Sequence, residues 1–80
     1  MDNEILNKIC TDLNNRSDIK TKVDFQQYLM EEIGLSTNNF KLDVNPFNKA
    51  IKASIYFNDT SVLNIKISKD KQSVELKIRL

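Results

Sequence analysis

Eighty residues with one cysteine, Cys10, and no histidine exclude an internal disulfide, the usual zinc ligand sets and any catalytic scheme that needs an imidazole. A single glycine, Gly34, is too few for a phosphate-cradling loop. The net charge of +1 hides an asymmetry, because residues 1–35 carry four cations against seven anions and residues 36–80 carry eight against four.

Residues 2–14 read as a first helix. Ile5, Leu6, Ile9 and Leu13 recur at helical spacing, with Cys10 at the margin of the stripe. Asp2 or Asn3 suits the N-terminal cap, and Asp2 and Glu4 suit the helix dipole. Cys10 is expected to be a half-buried structural thiol, since no base stands ready to ionise it. Arg16 to Lys20 reads as a loop, although Ser17 or Asp18 offers an earlier start for the next helix.

A second helix is expected over about 22–33. Thr21 followed by Asp24 forms a capping pair, and Val23, Phe25, Tyr28, Leu29 and Ile33 are assigned to its apolar stripe. Gly34 directly after Ile33, with Leu35 next, is the pattern of a helix that ends on a left-handed residue. A DNA-reading helix-turn-helix is disfavoured: the connection is long, and the second helix carries Asp24, Glu31 and Glu32. Glu31 and Glu32, with Asp12 and Asp18, are read as solvated surface charges.

Four strands follow, over about 40–44, 49–57, 62–68 and 73–80. Each alternates apolar and polar residues, as in Ile51-Lys52-Ala53-Ser54-Ile55 and Val74-Glu75-Leu76-Lys77-Ile78. Asn45-Pro46-Phe47-Asn48, Asn58-Asp59-Thr60 and Lys69-Asp70-Lys71 are the turns between them. The expected fold class is therefore α+β, with two N-terminal helices packed on one face of a four-stranded antiparallel meander, in the order ααββββ, forming one small domain. Ile55, Ile65 and Leu76 are expected inside and Gly34 at positive φ. The helix-then-meander order resembles the double-stranded-RNA-binding domain in architecture only, without that family's lysine-rich C-terminal helix, and implies no function.

No apolar run approaches a membrane span. The acidic start Met1-Asp2-Asn3-Glu4 is unlike a secretory leader, so a cytoplasmic protein is expected. Abundant Asn, Ile and Lys suggest AT-rich coding, as in low-GC bacteria or their phages. With no catalytic inventory, no metal ligand set and no cofactor motif, the chain is read as no enzyme.

Function then falls to surfaces. The wet side of the sheet offers Lys52, Tyr56, Lys66, Lys77 and Arg79. Phe47 breaks the strand alternation at a hairpin tip, where an exposed aromatic would anchor a partner. The last strand, Ser73–Leu80, is an edge open to a second copy as a homodimer. The expected function is a non-catalytic protein-binding module, such as an inhibitor, an immunity protein or a phage accessory protein that occludes its partner's surface. The alternative is a nucleic-acid-binding module that uses the basic face of the sheet.

Overall fold

The computed structural model describes residues 1–80. It contains two helices and a four-stranded antiparallel sheet, and is of the α+β class. Helix α1 spans Asn3–Asn15. The Asp2 carboxylate accepts from the Glu4 and Ile5 N–H groups at 2.9 and 3.3 Å, satisfying donors that a helix start otherwise leaves free. Ile9 and Leu13, one turn apart, are buried, and Ile5, Leu6 and Cys10 are half-buried beside them.

Helix α2 runs from Lys22 to Glu32, and only its first part, Lys22–Gln27, is α-helical. Its start is the expected capping box: Asp24 N–H donates to Thr21 Oγ1 and Thr21 N–H to Asp24 Oδ2, both at 3.1 Å. Tyr28–Glu32 widens into a π turn, which corrects the expectation of a continuous α-helix. Ile33 N–H reaches back to Tyr28 O at 3.1 Å, and Leu35 N–H to Leu29 O at 2.9 Å. Gly34, at φ 84°, closes this end as expected. The apolar pattern held no sign of the widening, because Phe25, Leu29 and Ile33 also suit an ordinary helix.

One further expectation is corrected. Val23 is 64% exposed, because residues two apart on a helix point about 200° away from each other and Phe25 takes the inward position. Ile19 lies in the Arg16–Lys20 loop, which forms as expected, and its buried side chain ties the α1–α2 connection to the core.

The strands are β1 Phe40–Val44, β2 Ile51–Tyr56, β3 Val62–Ile67 and β4 Val74–Arg79, paired in the order β1-β2-β3-β4. The register aligns Phe40, Ile55, Leu63 and Ile78 on one rung, Leu42, Ala53, Ile65 and Leu76 on the next, and Val44, Ile51, Ile67 and Val74 on the third. A thirteen-residue core joins this apolar face to Ile9, Leu13, Ile19, Phe25, Tyr28 and Leu29. Ile55 and Ile65 are buried as expected, whereas Leu76 is only half-buried. Its neighbours Glu75 and Lys77 are exposed, so the register holds and the shortfall is one of cover at the sheet edge.

Strand β2 begins at Ile51 rather than Lys49, because Lys49 is left-handed, at φ 61°. With its one glycine used at the end of α2, the chain builds all three hairpin turns with other residues at positive φ: Lys49, Thr60, and the pair Asp70 (62°) and Lys71 (57°). Each such residue costs roughly 1–2 kcal/mol. Side-chain hydrogen bonds partly offset this. Asn48 Oδ1 accepts from Ala50 N–H at 2.9 Å, Asp59 Oδ1 from Ser61 N–H at 3.0 Å, and Ser68 Oγ from Ser73 N–H at 2.7 Å. The Lys71 ammonium is enclosed and has no hydrogen-bond partner.

Backbone bonds next to the turns fix the direction of each strand's polar groups. Phe57 N–H donates to Ser61 O and Ser68 N–H to Ser73 O, both at 3.0 Å. Because bonded and non-bonded pairs alternate, Glu75, Lys77 and Arg79 turn their backbone groups toward β3. Val74, Leu76 and Ile78 turn theirs toward the open edge.

Candidate functional site

Five of the six candidate residues share the outer face of the sheet. Lys52 and Lys66 are direct partners across β2 and β3, Lys77 faces Asn64, and Val62 lies between Tyr56 and Arg79. The full rung through the two lysines reads Asp43, Lys52, Lys66, Glu75, with the acids outside and the bases in the middle. No side-chain ion pair within 4.0 Å forms on this face. In the next rung Ser54 Oγ donates to Asn64 Oδ1 at 2.9 Å. A shallow hollow of about 390 Å³ lies over these rungs, lined by Lys52, Ser54, Asn64, Lys66, Glu75 and Lys77. This is a basic surface patch, not an enclosed pocket.

Phe47, the sixth, lies beyond the end of the strands and is 92% exposed. It does not fold back over the core. Its turn is nevertheless well held. Asn45 Oδ1 accepts from Phe47 N–H at 2.8 Å and from Asn48 N–H at 3.2 Å. Asn45 N–H donates to Ala50 O at 2.8 Å, and Lys49 N–H to Asn45 O at 2.9 Å. The backbone that carries the ring is thus ordered while the ring itself is solvated. A second hollow, about 190 Å³, links this turn to the basic face through Asn48, Lys66 and Lys69.

Tyr56, 40% exposed, stands at the opposite end of β2 from the Phe47 turn. The length of that strand, roughly 17 Å at about 3.3 Å per residue, separates the two rings. They do not form one stacking platform.

The structure also assembles a cluster that the sequence reading dispersed. The Tyr28 hydroxyl donates to Asp12 Oδ2 at 2.7 Å, and Lys8 Nζ donates to the same oxygen at 3.1 Å. Arg16 holds Asp18 through two bonds, at 3.0 and 2.7 Å, and donates to Glu32 Oε1 at 2.6 Å. Its guanidinium lies 5.4 Å from the Tyr28 ring centroid. The Tyr28 hydrogen bond holds the Asp12 carboxyl below its ordinary range. Burial, then Asp12, pushes the Tyr28 phenol up. The Arg16 hydrogen bonds lower Asp18 to about 2. The cluster fastens α1 to α2. Its ionic partners are already satisfied, so it reads as structure and not as a site.

No group of three or more His, Cys, Asp or Glu side chains is placed to hold a metal ion, and no helix is long and apolar enough to cross a membrane. No protein-family model, curated protein or solved structure matches the chain.

Proposed function

We propose that this protein is a non-catalytic binding module that occludes an acidic surface on a partner protein, with Phe47 as the anchor. The observation behind this reading is the pairing of an almost fully exposed phenylalanine with a turn fixed by its own hydrogen bonds. Burying such a ring in a partner's pocket gains apolar contact without first ordering the backbone that carries it. Lys66 and Lys69 near the tip, with Lys52 and Lys77 on the adjoining face, supply a basic rim that favours an acidic partner and discourages others. An inhibitor that imitates DNA would need strong negative charge, which this chain lacks. The reading accordingly places the protein among inhibitors, immunity proteins or phage accessory proteins of the cytoplasm.

The test is affinity capture from an extract of the source cells with immobilised wild-type and Phe47→Ala proteins. A partner retained by the first and lost by the second, with Phe47→Ala melting at the wild-type temperature, is the expected result. Equal capture by both removes Phe47 from the role.

The unpaired cations of the outer face favour a second reading, a nucleic-acid-binding module that uses Lys52, Tyr56, Lys66, Lys77 and Arg79. Titration with labelled DNA and RNA at two salt concentrations separates the two. Binding by phosphate contacts must weaken steeply with salt, and absence of binding at low salt discards this alternative. The wide separation of Tyr56 from Phe47 leaves the face with one stacking ring, fewer than sheet platforms for single strands use.

A further inference from the structure

On the open edge of β4, exposed apolar side chains and unpaired backbone groups coincide. Ile78 is 50% exposed and Leu80 96%. The backbone groups of Val74, Leu76 and Ile78 point away from the sheet, as the hydrogen-bond alternation requires. The other edge strand, β1, lies against α2, and its Phe40 is buried. From this we infer that β4 is the dimerisation strand: a second copy of this chain pairs with it antiparallel across a two-fold axis through Leu76. This inference is independent of the Phe47 anchor, which lies elsewhere on the molecule.

The strand's charge order selects that register. Centred on Leu76, Leu76 faces its own copy, Val74 faces Ile78 of the copy, and Glu75 faces Lys77 of the copy. By symmetry the last two pairs occur twice. The apolar pairs are the bonded ones, so the outward backbone groups find each other. The charged pairs are the closer, non-bonded kind, in which side-chain interactions are strongest. The neighbouring symmetric registers that keep this bonding pattern bring like charges together. An axis through Lys77 opposes Lys77 to itself, one through Glu75 opposes Glu75 to itself, and one through Ile78 sets Lys77 against Arg79. Only the Leu76 register has opposite charges on each directly facing charged pair. The product is an isologous eight-stranded sheet with both basic faces on the same side.

The experiment is sedimentation equilibrium on wild-type, Glu75→Lys, Lys77→Glu and the double variant, each first checked for an unchanged circular dichroism spectrum and cooperative melting. Wild type is expected to be a dimer. Each single variant sets like charges face to face twice and should weaken the dimer about tenfold or more. The double variant exchanges the charges and should return to within about threefold of wild type. A wild-type monomer at about 1 mM overturns the inference. So does a double variant as weak as the singles. In the Lys77-centred register, exchanging the two charges leaves position 77 facing its own copy and gives position 75 the same sign as Arg79, with no rescue. Single variants that dimerise like wild type place the interface elsewhere and also overturn it.

Discussion

The Tyr28 hydroxyl and the Asp12 carboxylate, sixteen residues apart, meet at 2.7 Å and join α2 to α1. The tyrosine ring is buried, and its hydroxyl is the main cause of the lowered Asp12 pKa. Tyr28→Phe should therefore cost about 1.5 kcal/mol in urea unfolding, near the lower end of the range for a hydrogen bond to a charged group. The loss should shrink at low pH. A carboxylate whose folded pKa is depressed adds stability above its unfolded value near 4, and that stability disappears as pH falls through the folded value. Equal losses at pH 7 and near pH 2 would show that the carboxylate plays no part.

Arg16 makes a comparable claim on Asp18. Carbon-detected titration should find Asp18 near 2, and Arg16→Gln should bring it back toward the ordinary aspartate range near 3.9. The folded-state depression means that this pair contributes at neutral pH and fades as acid protonates Asp18. An unmoved Asp18 would mean that its backbone, and not Arg16, dominates the shift.

Gly34 lies at φ 84°, and a Cβ built there meets nothing within 4 Å. Substitution is therefore a question of backbone conformation alone. Gly34→Ala should cost about 1 kcal/mol, and Gly34→Asn less, because asparagine tolerates the left-handed region better. Equal costs for the two in thermal unfolding would point to some other origin.

Phe25 and Val23 lie two residues apart with opposite fates. Phe25 is fully buried and Val23 is 64% exposed. Phe25→Ala should cost about 3–5 kcal/mol, enough to unfold a chain of this size or nearly so. Val23→Ala should be neutral or gain a few tenths of a kcal/mol from helix propensity. A marked loss at Val23 would restore it to the apolar stripe.

The residues differ in how much of this was readable from sequence. Alternation on β2, and on β3 from Leu63 onward, made the buried faces legible, because a one-residue slip would turn those apolar side chains outward. Thr21–Asp24 and Gly34 were legible because caps are local chemistry. Phe47 was legible as an interruption of both flanking strands. The exposure of Ile78 was not, since alternation cannot tell a covered rung from an uncovered one. Nor was the Arg16 cluster, whose members are brought together only when α2 folds back beside α1. Solitary charges at unrelated spacings carry no sign of the partner they will meet.

The left-handed pair Asp70–Lys71, with its enclosed and unpartnered ammonium, bears on the order in which the molecule opens. The hairpin it closes delivers β4, which has no fully buried residue. A strained connection and a lightly packed strand together define the unit of lowest local opening energy. In hydrogen exchange the Glu75, Lys77 and Arg79 amides should lose protection before those of Leu63 and Ile65, on the β2 side of β3. A second copy on the same edge would turn the first strand to fray into an interior one, and raising the protein concentration should slow exchange there before anywhere else.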